Sequence, residues 1–105
     1  MNFPTPYYAV IFTSVLHQTD EEYKGLDDKL MKLAQERDGF LGMDSARSGL
    51  GISVSYWKTL EDIKEWSQNL QHIDAKTKGK ERWYESYNVK ICKVEKEYGF
   101  TRNSN

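Results

Sequence analysis

The chain has 105 residues, the length of one domain, and a domain this short buries a limited core, so part of its apolar surface is expected to need a partner. A formal net charge of −1, with 15 Lys and Arg against 16 Asp and Glu, excludes the basic field of a nucleic-acid binder. Cys92 is the only cysteine, which excludes an internal disulfide and a cysteine metal cluster, and no apolar run approaches the ~20 residues of a membrane span.

Residues 1–6 hold both prolines, Pro4 and Pro6, and read as an irregular lead-in. Tyr7 to Val15 is rich in aromatic and β-branched residues and reads as a strand, and its nearly continuous apolar character predicts cover on both faces. Thr19 with Glu22 fits a capping box, and Tyr23, Leu26, Leu30, Leu33 and Ala34 recur behind it at helical spacing. Asp38-Gly39 ends that helix, with Gly39 expected in the left-handed terminal position. Phe40 to Ala46 and Ile52 to Trp57 are short strand candidates joined through RSGLG, a hairpin turn. In the second of them Ile52, Val54 and Tyr56 share one face and Ser53, Ser55 and Trp57 the other.

Thr59 with Asp62 repeats the capping pattern, and Leu60, Ile63, Trp66, Leu70 and Ile73 form one helical stripe. Asp74 to Tyr87 reads as a further charged helical stretch carrying Trp83, Tyr84 and Tyr87, with a bend at Gly79. Tyr87 to Tyr98 alternates apolar and charged residues as a final strand, and Thr101 to Asn105 is expected to fray. The order β-α-β-β-α-β predicts an α+β, ferredoxin-like domain with a four-stranded antiparallel sheet, spanning 1–105 with its core over 7–98. Helices cover one face of such a sheet. A first strand apolar on both faces then predicts a homodimer that stacks sheet against sheet.

Three stretches, GFLGMDSAR (Gly39 to Arg47), VSYWKTLEDIKEW (Val54 to Trp66) and LQH (Leu70 to His72), resemble the antibiotic biosynthesis monooxygenase superfamily of dimeric α/β barrels. The likeness spans Tyr7 to Tyr98 and is closest to a bacterial subgroup whose ending is seen here as VEKEYGF. It implies a small pocket in each subunit between sheet and helices. Some members of the superfamily oxidise phenolic or quinol-like substrates with O₂ and no cofactor. Others degrade haem, relying on an Asn in the first strand, a Trp in the second helix and a His ligand. Trp66 matches that Trp, but YYAVIFTSV has no Asn around Phe12 to Ser14, and the ligand position falls near Lys76. One fold hosts unrelated chemistries, so the resemblance speaks first to architecture.

His72 is the candidate base. On an unbroken helix it points into solvent; if the helix breaks around Gln71, it faces the pocket and can take a phenolic proton. Trp66 on the inward stripe is a candidate wall for a planar ligand as well as a core residue. Tyr8, Phe12 and Tyr56 are candidates to line the helix-side cavity, and Arg47 to hold an anionic or phenolate substrate. Trp57 reads as architecture, His17 as a surface residue and Cys92 as a small buried hydrophobe. Lys76, Lys78, Lys80 and Arg82 among the aromatics of 74–87 are offset by Asp74, Glu81 and Glu85, so that segment reads as a solvated helix.

The expectation is a cytoplasmic, homodimeric, cofactor-independent monooxygenase acting on a small aromatic or quinol-type metabolite, with no metal and no nucleic-acid or membrane partner. A non-catalytic dimer that binds a small hydrophobic ligand is the alternative from another class, and haem degradation is the third.

Overall fold

In a computed structural model, which describes residues 3–102, the elements run β1 (Tyr7–Leu16), α1 (Glu21–Gln35), β2 (Phe40–Ser48), β3 (Leu50–Trp57), α2 (Leu60–Thr77), α3 (Gly79–Trp83) and β4 (Tyr84–Val94). The first two residues of the lead-in and the last three of the tail expected to fray lie outside the described residues. The strands form one sheet in the order β2-β3-β1-β4, every pair antiparallel, which is the ferredoxin-like arrangement.

Which face the helices take follows from one residue. Trp57 is fully buried and packs with Ala34 of α1 and Ile63 and Trp66 of α2. Tyr8, Val10, Leu30, Leu33, Phe40 and Leu70 close around this cluster. Each such aromatic removes ~150–250 Å² from water, worth about 4–6 kcal/mol at ~25 cal/mol per Å². The Trp57 indole N–H donates to Ser55 Oγ at 2.9 Å, so the polar edge of the buried ring is satisfied. Tyr8 pairs with Trp57, so strand parity sends Tyr8, Val10, Phe12 and Ser14 to the helix face and Tyr7, Ala9, Ile11, Thr13 and Val15 to the open face.

The hairpin is tighter than the expected RSGLG turn. Both strands run up to a Ser48–Leu50 pair, leaving Gly49 alone at the tip with φ 81, a left-handed conformation that glycine adopts without a Cβ clash. At the start of α1 the cap is Asp20, whose side chain accepts from Tyr23 N at 2.9 Å, in place of the expected Thr19 box. The reason lies in the other end of the chain: Arg82 forms ion pairs with both Asp20 and Glu22, so Glu22 is taken from any capping role. Gly39 does not take the left-handed position. It stays small because a Cβ there would lie 2.1 Å from the Asp62 carboxyl.

α2 is unbroken from Leu60 to Thr77, through Gln71, so of the two alternatives for His72 the unbroken helix is the one present. Its first stripe residue, Leu60, is exposed, while Ile63 and Trp66 are buried. The bend expected at Gly79 falls one residue earlier, at Lys78, which takes the left-handed conformation (φ 56). The helical reading of 74–87 holds to Trp83. Tyr84 and Tyr87 belong to β4, which begins three residues earlier than expected and ends at Val94 rather than Tyr98.

Candidate functional site

The register lines up one row of side chains across the helix face. Arg47 of β2 lies opposite Gly51 of β3, Gly51 opposite Ser14 of β1, and Ser14 opposite Tyr87 of β4. Neighbouring strands are ~4.8 Å apart, so the guanidinium of Arg47 reaches along the row over Gly51. A Cβ at Gly51 would sit 2.2 Å from the guanidinium carbon, so only glycine leaves that path open. Arg47 Nη2 donates to Ser14 Oγ at 2.5 Å, and Nη1 donates to the Ser14 carbonyl at 3.3 Å and the Gly49 carbonyl at 3.5 Å.

Beside this row stands an aromatic group. Phe12 stacks on Tyr87 (centroids 5.5 Å apart, planes at 25°) and meets Tyr84 edge-on at 5.8 Å. Tyr84 and Tyr87 are 5.6 Å apart, and Tyr23 of α1 closes on Tyr84 at 6.3 Å and on buried Trp83 at 5.4 Å. Beyond Tyr87, β4 presents Val89 and Ile91 on the same face, 47% and 54% exposed. The helices therefore leave this side of the sheet open as a shallow apolar groove that runs up to half-buried Tyr84 and exposed Tyr87 and Arg47. A hollow of ≈ 180 Å³ lies on the other, open face of the sheet, among Thr13, Val15, Leu50, Ser86 and Asn88, and is not part of this row.

Two polar groups sit at the tyrosine end of the groove. Burial pushes the Tyr84 hydroxyl up to about 12, with Tyr23 and Asp27 adding to it. Asp27 follows Tyr23 by four residues on α1 and so shares its face. As a residue Asp27 is exposed, but its carboxyl is partly desolvated, which raises its pKa, while Arg47 nearby pulls it back down. A carboxylate raised in this way is a better proton acceptor than an ordinary aspartate.

The sequence-predicted residues divide. Phe12 and Arg47 share the helix face, Arg47 bonded to Ser14 two residues along β1 from Phe12. Tyr8 lies further along the same face and joins the main core. Trp66 is 5% exposed and packs tilted on Trp57 at 5.6 Å, with Arg37 over its ring at 5.9 Å, so it is built into the core. Tyr56 does not share the helix-side cavity with Tyr8 and Phe12. It points to the opposite face, where its hydroxyl donates to Asp44 at 2.7 Å and its ring meets Tyr7 at 6.1 Å and Phe3 at 6.3 Å. The physical reason is parity, since Trp57 takes the helix face and its neighbour cannot. His72 is exposed on unbroken α2, so the break that would turn it inward is absent.

Tyr23, Asp27, Tyr84 and Tyr87 were not singled out as site residues from the sequence. The density of aromatics at Trp83, Tyr84 and Tyr87, just after a bend, was the available sign. A larger hollow of ≈ 280 Å³ is lined by Glu36, Arg37, Asp38, Asp62 and Glu65; with four carboxylates and no ring, it suits an apolar ligand less than the groove does. Among the described residues no three His, Cys, Asp or Glu side chains gather at metal-binding distance, and no helix is long and apolar enough to cross a membrane.

No protein-family model matches the sequence. The chain is 43% identical over 102 residues to the uncharacterized protein YqjZ of Bacillus subtilis (strain 168), covering 95% of this chain and 90% of that protein. Among solved structures it is similar to a mutant form of SnoaB, a cofactor-independent oxygenase from Streptomyces nogalater, with TM-score 0.69 and 7% identity over 87% of this chain and 95% of that one. A Nitrosomonas europaea protein assigned by inference to the antibiotic biosynthesis monooxygenases superposes with TM-score 0.64 and 14% identity, over 88% and 93% of the two chains. Likeness at these identities shows the fold, and the fold is that of the antibiotic biosynthesis monooxygenases.

Proposed function

This chain belongs to the family of the Bacillus subtilis protein YqjZ and has the fold of the antibiotic biosynthesis monooxygenases, and from that premise we propose that it is a homodimeric, cofactor-independent monooxygenase acting on a small aromatic or quinol-type metabolite. The observation that carries the reading is the half-open aromatic groove ending at Phe12, Tyr84 and Tyr87, with Asp27 and Arg47 beside that end. A planar electron-rich ring stacks on Phe12 and Tyr87. Asp27 takes the proton of its O–H or acidic C–H.

The ionised substrate then passes one electron to O₂. The resulting substrate radical and superoxide combine, forming the new C–O bond of a peroxide. Loss of water from that peroxide leaves a carbonyl. One oxygen atom enters the product, the other leaves as water, and two hydrogens leave the substrate, so no external reductant is needed.

Support for the dimer comes from the open face. Val15, Leu50 and Ile52 lie there exposed, beside half-buried Ile11 and Val54, on a sheet whose other face already carries the helices. Haem degradation has less support, since Trp66 is enclosed in the core and Lys76 lies exposed. Steady-state turnover of a quinol tests the site: Phe12→Ala and Asp27→Asn are expected to lower kcat/KM by at least tenfold, about 1.4 kcal/mol. Activity that falls with His72→Ala and stays with Asp27→Asn would return the base to His72.

A further inference from the structure

The row Arg47–Gly51–Ser14–Tyr87 carries a cation whose partners are all neutral. Arg47 donates to a hydroxyl and two backbone carbonyls, and among the described residues the salt bridges are those of Lys24 with Glu21 and of Arg82 with Asp20 and Glu22. Asp27 senses Arg47 from beyond ion-pair distance. An exposed guanidinium anchored at Nη1 and Nη2, with donors to spare, matches the two oxygens of a carboxylate. This one is held by Ser14, whose strand neighbour on the far side is Tyr87, and Tyr87 is stacked on Phe12. A ring on those two aromatics that carries an acidic substituent would place it against Arg47.

We propose that the site selects aromatic acids, with the ring on Phe12 and Tyr87 and the carboxylate on Arg47, and that Gly51 is a positioning residue whose missing side chain lets Arg47 lie across the sheet. This deepens the monooxygenase reading and rests on its aromatic groove, but it is a statement about binding and holds or fails without turnover.

The test uses 4-hydroxybenzoate and 4-hydroxybenzamide, which share a ring and differ in charge, titrated into the purified protein with intrinsic fluorescence as readout. The acid is expected to bind about tenfold or more tightly than the amide, as a charge-assisted pair warrants. Arg47→Gln should bring that ratio close to one, and Arg47→Lys should keep part of it. Gly51→Ala retains the cation and displaces it, so the ratio should fall while the circular dichroism spectrum stays that of the parent. Equal affinity for the two probes, binding of neither, or an unchanged ratio in Arg47→Gln would overturn the proposal, and an unchanged ratio in Gly51→Ala would overturn the role of Gly51. Oxygen uptake plays no part, so tight binding of the acid without turnover counts against the monooxygenase alone.

Discussion

Four of the seven tyrosines are held protonated by their surroundings, Tyr23 among them through burial. The Tyr7 hydroxyl donates to Glu97 at 2.6 Å and Tyr56 to Asp44 at 2.7 Å, and each carboxylate pushes its phenol up to about 12; Tyr84 reaches about 12 mainly by burial. A raised folded-state pKa contributes stability that is complete below the ordinary tyrosine value and is lost as pH rises through the folded one. Stability is therefore expected to fall between pH 10 and about 12. Tyrosinate absorbance followed against pH should show a late-titrating group, and Glu97→Gln should move one tyrosine out of it. Trp66→Ala, by contrast, is predicted to cost about 3–5 kcal/mol of stability in urea unfolding, because the ring is core. Residue by residue, the alternation of Ile52 to Trp57 was legible from the sequence. What alternation leaves open is which of two faces the helices cover, and that depends on Ala34, Ile63 and Trp66 arriving over Trp57. Tyr56 was placed with Phe12 for want of that contact.

At the scale of elements, α1 and α2 were legible because their apolar residues recur with helical period. Their ends were less so. Thr19 and Asp20 are both good caps, and the choice is made by Arg82, 62 positions from Asp20, which no local pattern carries. Asp20→Ala is therefore predicted to cost about 1 kcal/mol or more, and Thr19→Ala close to nothing, in the same unfolding assay. Equal losses would mean that both residues share the cap. The boundary between α3 and β4 was misread for a related reason: Trp83, Tyr84 and Tyr87 fit a helical inner face, but Tyr84 and Tyr87 are claimed by pairing with β1. That pairing is what brings Tyr84 and Tyr87 to Phe12. The groove is thus a product of long-range strand register, while its individual residues look ordinary in sequence.

Across the whole molecule, one face of the sheet carries the helices, which leave Val89 and Ile91 of β4 uncovered, and the other is half dressed. Phe3, Tyr7 and Tyr56 cover one end of the open face, leaving Val15, Leu50 and Ile52 exposed at the other. The proposed homodimer buries that strip, so Ile52→Lys is predicted to shift the protein to monomer in sedimentation velocity, with the fold retained. A monomeric parent chain would remove the sheet-to-sheet arrangement. Oxygenation without a cofactor is decided with an oxygen electrode. Purified protein stripped by chelation and checked to be free of bound metal and haem is given a quinol-type substrate in air. Enzyme-dependent uptake of one O₂ per carbonyl product formed is expected, without added metal, haem or reductant. Saturable binding of the aromatic with no oxygen uptake would contradict the monooxygenase and leave a ligand-binding dimer, and uptake only after haem is added would place the protein on the haem-degrading branch.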